Sequence, residues 1–158
     1  MSLENFKKLM KSPENIIHLN NAGMAPLHPS ARQATADFDR DQFIYASSDF
    51  PLVFQNFHNA KKDIAKFINC PVEGVAWMQN CAHGISQVAL GINYKAGQEI
   101  ISIDQEYPSS IYPWMFAAEK NNIKLHKITS NPDLSINYEK VLDLISPKTR
   151  IVALSWVQ

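Results

Sequence analysis

The stretch WMQNCAHGISQVALGI, residues 77–92, is the part of the chain whose residue types and spacing most suggest chemistry. An apolar segment stops at Asn80-Cys81-Ala82-His83, and apolar spacing suited to a helix then resumes. A strand that hands over to a helix through a short polar turn aims several backbone N–H groups, and the positive end of the helix dipole, at one point in space. Such a point suits a phosphate. The same residues also suit an ordinary connecting loop, and the local pattern leaves both readings open. His83, a lone histidine at a helix start, reads as a solvated or capping side chain ahead of a catalytic one. Cys70 and Cys81 have neither CxxC spacing nor a companion histidine cluster, so neither a metal site nor a disulfide framework is expected, and a reducing, cytoplasmic compartment fits. His126 and Lys127, in LHKIT, fall inside a strand-like segment, and Lys127 reads as a structural strand residue.

These residues need elements to hold them. A helix is expected after Pro29, opened by Ser30 and Gln33 as a capping box and running into the low forties. A second helix is expected over residues 57–68, where Ala60, Ile64, Phe67 and Ile68 share one face. Strands follow over residues 74–78, 99–104, 123–128 and 150–157, separated by helices near 82–92, 109–121 and 138–145. Near-continuous apolar strands such as IVALSWV, alternating with helices, predict an α/β fold with a mainly parallel sheet and helices on both faces. That last strand is apolar enough for the middle of a sheet, yet no crossover helix follows it. The expectation is one incomplete domain over 1–158, with an N-terminal arm and opening segment at 1–29 and the front part of a larger domain at 30–158.

Composition removes several classes of function. A chain of 158 residues that is 46% hydrophobic can bury a real core. Fifteen basic residues balance fifteen acidic ones, so there is no basic field to hold a nucleic acid or an anionic membrane surface. No apolar run approaches membrane-spanning length, and MSLENFKKLM has charges where a signal peptide needs an apolar stretch. None of the five glycines forms the G-x-G-x-x-G turn of a nucleotide-binding Rossmann domain.

Four segments, in order, resemble the class V aminotransferase and cysteine desulfurase group, enzymes dependent on pyridoxal phosphate. They are HLNNAGMAPLHPS, VAWMQNCAHGISQVALGI, EIISIDQEYPSSIYPW and LISPKTRIVALSWVQ. The EYPSSIYPW form leans toward the branch of isopenicillin epimerases and selenocysteine lyases. The resemblance implies the large domain of a fold type I transferase, pyridoxal 5′-phosphate as cofactor, an amino-acid substrate and a homodimer. It implies that backbone N–H groups at Cys81 and Ala82, with Asn80 beside them, hold the cofactor phosphate. Ala82 stands where the family commonly has Thr, so one hydroxyl donor is missing and Asn80 is the side chain placed to compensate.

The same resemblance gives Tyr107 the position of the aromatic ring that stacks on the pyridine ring. The plain reading of Tyr107, Tyr112, Trp114 and Phe116 is that of core aromatics. Gln158 matches the amide that bonds the cofactor's O3′, against the plain reading of a frayed terminus. Asn20, Asn21 and Ala22 match the substrate side of the site, although Asn equally favours turns and helix entries. Gly23 reads as a residue kept for backbone freedom.

Pyridoxal chemistry also needs a lysine for the cofactor's aldehyde and an acid at the pyridine nitrogen. Lys127 precedes IVALSWVQ, whereas the family's lysine comes well after that strand, and Asp104 precedes the stacking loop. No catalytic residue is assigned, and the chain alone is expected to be inactive. It would be the front part of an enzyme that carries out transamination, racemisation, or sulfur or selenium elimination on an amino acid. The alternative is a non-catalytic remnant or a dimerising scaffold with the same fold.

Overall fold

The computed structural model describes residues 4–5, 9–10, 16–21 and 23–156, apart from the side chains of Ser47 and Asp49. Two expected site residues, Ala22 and Gln158, lie outside the described residues. The chain forms two compact units, Met1–Val75 and Ala76–Gln158.

In the first unit, helix α1 spans Pro29–Tyr45 and helix α2 spans Phe50–Phe67, joined by a 3-10 turn at Ala46–Asp49. The expected capping box at α1 does not form. His28 is the N-cap, its Nδ1 accepting from the Ser30 N–H at 3.2 Å, while Gln33 donates to Asp37 at 3.1 Å. Pro29 causes this shift, because its preset φ and missing N–H suit the first helical position and push the cap to the residue before it.

Helix α2 starts at Phe50 instead of residue 57, since Pro51, its second residue, removes an N–H that has no helical acceptor anyway. After its last turn Asn69 takes a left-handed φ of 54°, which ends the helix. Of the expected face, Ile64 is half-buried while Ala60, Phe67 and Ile68 are exposed, and Ala65 is the α2 residue that is buried. Period decides which residues share a face, but burial requires an element laid against that face.

In the second unit, α3 (Cys81–Gly91) leads to β1 (Glu99–Ile103), α4 (Pro108–Lys120), β2 (Lys124–Ile128), α5 (Tyr138–Leu144) and β3 (Thr149–Val152). The strands form a parallel sheet in the order β2-β1-β3, with Glu99 opposite both Lys124 and Thr149. Central β1 is fully buried from Ile100 to Ile103. Its alternation sends Ile100 into a cluster with Ala89, Trp114, Ala117 and Ala118 of α3 and α4. Ile101 and Ile103 meet Ile128 and Val141 on the other face, under α5. Each such isoleucine contributes about 1.5–3 kcal/mol of burial. Helices on both faces of a parallel sheet match the expected fold class. Among the described residues no helix is long and apolar enough to cross a membrane.

Two expected strands are corrected. Residues 74–78 are not a strand: Val72–Gly74 make a 3-10 turn with Pro71 at its N-cap, and residues 75–78 belong to no strand of the sheet formed by the described residues. The final strand ends at Val152, well short of residue 157. Its partner β1 stops at Ile103, so beyond the Ala153 N–H bond to the Ile101 carbonyl (2.9 Å) there is little strand left to pair with. Burial along β3 alternates, with Ile151 and Ala153 half-buried and Val152 and Leu154 exposed. It is an edge of the described sheet. At the other edge, β2 carries exposed Lys124 and Lys127, charges that discourage pairing with a further strand.

Candidate functional site

The polar turn sits at the start of α3, where the sequence puts it. Asn80 is extended and is the N-cap, its Oδ1 accepting from the His83 N–H at 2.8 Å, and its carbonyl accepts from the Gly84 N–H at 3.1 Å. The first N–H groups of a helix have no intrahelical acceptor, and the cap satisfies only the later ones. Among the described residues nothing accepts from the N–H groups of Cys81 and Ala82. Two aligned donors at the positive end of a helix dipole therefore stand ready for an anion. With its side-chain oxygen committed to the cap, Asn80 has only its Nδ2 to replace the hydroxyl that Ala82 lacks.

His83 is not the solvated or capping side chain expected. Its Nε2 pairs with Gln87 Nε2 at 3.2 Å, while its Nδ1 is buried without a hydrogen-bond partner among the described residues. Because the amide nitrogen donates, the proton of a neutral ring belongs on Nδ1.

Tyr107 is the N-cap of α4, and the residue is 71% exposed. Pro108 follows, which restricts Tyr107 to an extended backbone, here φ −61° and ψ 143°. Its carbonyl accepts from the N–H groups of Ser110 and Ile111 at 2.8 and 3.1 Å. Of the four aromatics, Trp114 alone is a core residue, and Tyr112 and Phe116 are exposed like Tyr107.

A cleft of about 330 Å³ runs between α3 and α4, lined by Ala82 and Ser86 on one side and Pro108, Ser109 and Tyr112 on the other. The first turns of both helices thus face one cleft. Pro113, inside α4, lacks the N–H that would bond the Ser109 carbonyl in that cleft. A second cleft of about 290 Å³, lined by Glu106, Ser110, Trp114, Ala153 and Ser155, opens at the ends of β1 and β3. Glu106 is only 8% exposed and its carboxylate accepts from both the N–H and the Oγ of Ser155. Sequence reasoning missed this pair, since nothing in the spacing of residues 106 and 155 joins them. Both thiols, Cys70 and Cys81, are free.

In the first unit, Asn20 Oδ1 accepts from the Gly23 N–H at 3.0 Å and His18 Nε2 lies 2.8 Å from the Met24 carbonyl oxygen. A Cβ on Gly23 would lie 2.6 Å from Asn20 Nδ2, so a side chain there would displace the Asn20 amide that accepts from the Gly23 N–H. Asn21 is exposed in this turn.

The profile of the family described as aminotransferase class-V matches residues 17–158. The chain belongs to this family. Family members depend on pyridoxal phosphate. The chain is 28% identical over 107 residues to a cysteine desulfurase of Salmonella newport, a match covering 65% of this chain and 26% of that protein, and equally to one from Salmonella typhimurium. It thus spans about a quarter of the length of the curated relatives it matches.

Among solved structures it is similar to the cysteine desulfurase CsdA of Escherichia coli. That match has a TM-score of 0.77 and 21% identity, covering 96% of this chain and 40% of that one. It is also similar to a lysine-to-alanine mutant of C-DES with glycine covalently linked to its pyridoxal phosphate cofactor. There the TM-score is 0.80 and the identity 22%, over 94% of this chain and 40% of that one. A further C-DES structure is described as a cystine C–S lyase in complex with its product, cysteine persulfide. These likenesses establish the fold as that of pyridoxal-phosphate-dependent, fold type I proteins.

Proposed function

We propose that this chain supplies the N-terminal, cofactor-binding portion of a class V pyridoxal-phosphate enzyme acting on an amino acid by transamination, racemisation, or sulfur or selenium elimination. The observation that carries the proposal is the pair of N–H groups at Cys81 and Ala82 that find no acceptor among the described residues, at the head of a helix whose Ala82 lines the cleft that α4 also lines. They would bind the cofactor phosphate, aided by Asn80 Nδ2 and the α3 dipole. Tyr107 would stack on the pyridine ring, which its exposure allows, and Gln158 would bond the O3′ on the strength of the resemblance. The bound cofactor supplies the electron sink for chemistry at an amino acid's α-carbon. Substrate contact by Asn20, Asn21 and Ala22 belongs to the same proposal, with Asn20 limited to its Nδ2 because its side-chain oxygen serves its own turn.

The reading carries with it a homodimer in the cytoplasm. Two unbonded thiols and the apolar side chains in the open at Leu154 and Trp156 support that setting. A single incomplete domain over 1–158 remains part of the proposal, supported by the share of its relatives that the chain covers.

Cys81→Pro tests it. Proline is well tolerated at the first position of a helix, and the extended Asn80 before it suits a following proline, so α3 is kept while one phosphate donor is deleted. A hydrogen bond to a charged group contributes about 1.5–3 kcal/mol, so pyridoxal phosphate should bind roughly 10- to 100-fold more weakly. Titration followed by cofactor absorbance measures this, and unchanged affinity would refute the phosphate assignment.

A further inference from the structure

Glu106 is the only buried carboxylate among the described residues, and no part of the cofactor reading uses it. A carboxylate leaves water at a high cost unless donors replace the solvent. Here one residue supplies both: Ser155 donates its N–H to Oε1 at 2.5 Å and its hydroxyl to Oε2 at 2.6 Å, across 49 positions of sequence. Glu106 lies in the loop between β1 and α4, and Ser155 lies just past β3. The bond pair therefore ties together two segments that leave adjacent parallel strands.

Tyr107 comes next in the chain and its ring has little packing of its own. What fixes the ring is the backbone that carries it. On the C-terminal side Pro108 and the first turn of α4 hold that backbone; on the N-terminal side Asp104 and Gln105 tie it to Ser130 and Leu134, past β2, and the Glu106 side chain ties it to the exit of β3. We propose that Glu106 is a positioning residue that locks the Tyr107 loop to the exit of β3, and so sets where the Tyr107 ring stands. The part that concerns a cofactor ring rests on the reading above. A carboxylate suits the task because it offers two acceptors and no donor, matching the two donors of Ser155. Glutamine keeps the shape but has only one acceptor, so it should hold the loop less well.

The test compares the wild-type chain with Glu106→Ala, Glu106→Gln, Ser155→Ala and Tyr107→Ala. Amide exchange by NMR reads the lock directly. Glu106→Ala should speed exchange of the Ser155 amide at least tenfold and shift the Tyr107 signals, while Ile101 and Ile103 stay protected, with Glu106→Gln intermediate. With added pyridoxal phosphate, Glu106→Ala should lose the same part of the visible circular dichroism that Tyr107→Ala loses. Wild-type exchange at Ser155 together with unshifted Tyr107 signals in Glu106→Ala would overturn the proposal. Should Glu106→Ala lose protection throughout β1, Ser155→Ala and Glu106→Gln decide between lock and no lock by the same two measurements. Should the wild-type chain take up no pyridoxal phosphate, the cofactor reading falls, and the exchange and Tyr107 signals alone uphold or overturn the lock.

Discussion

Asp104 closes β1 and accepts from the Ser130 N–H through both oxygens at 3.1 Å, and from the Ser130 hydroxyl as well. The Ser130 hydroxyl, and after it the Ser130 N–H, holds this exposed carboxyl below the ordinary aspartate range. A depressed value in the folded state means the stabilisation is present above the unfolded value, about 3.9, and is lost as pH falls through the folded one. Ser130→Ala should therefore lower stability at neutral pH, and the gap to wild type should close as pH drops below about 4. Urea midpoints at a series of pH values check this, and a gap that widens on acidification would contradict it. Single residues of this kind were only partly legible in the sequence. Asn80 announced itself as a helix entry, but that its side-chain oxygen would be spent on the cap depends on a 2.8 Å contact that spacing does not specify.

At the scale of elements, β1 anchors the second unit. Ile101 is fully buried between neighbouring strands and α5, so Ile101→Ala should cost about 2–5 kcal/mol. Val152→Ala, on the exposed face of β3, should stay within about 0.5 kcal/mol of wild type. Urea unfolding distinguishes the two, and comparable losses would show that β3 is packed on both faces. The helices after Pro29 and Asn80 and the strand-helix rhythm from residue 99 were readable because period and punctuation are local. The strand expected at 74–78 was not, because a strand exists only where another offers its hydrogen bonds, and apolar residues alone do not say whether one will.

For the whole molecule, the lysine question is the sharpest. Among the described residues neither cleft beside α4 is lined by a lysine, and Lys127 lines the groove between β2 and α5 instead. Borohydride reduction of the chain with pyridoxal phosphate, followed by peptide mapping, should yield no stoichiometric adduct on any one lysine. Amino-acid turnover should not exceed that of free cofactor. A single labelled site at Lys127 with turnover would overturn the assignment of that residue to the sheet alone.

Sequence by itself determined the fold class and the family, because alternating apolar segments and ordered short motifs are properties of the chain read in one dimension. It also put a polar turn at the head of a helix, since an N-cap and the apolar spacing behind it are neighbours in the chain. Only the tertiary structure decided that the first turns of α3 and α4 share a cleft, that β3 ends at Val152 opposite Ile101, and that Glu106 accepts from Ser155. Those facts join residues tens of positions apart, and such pairings are set by which surfaces pack and which buried polar groups must find partners.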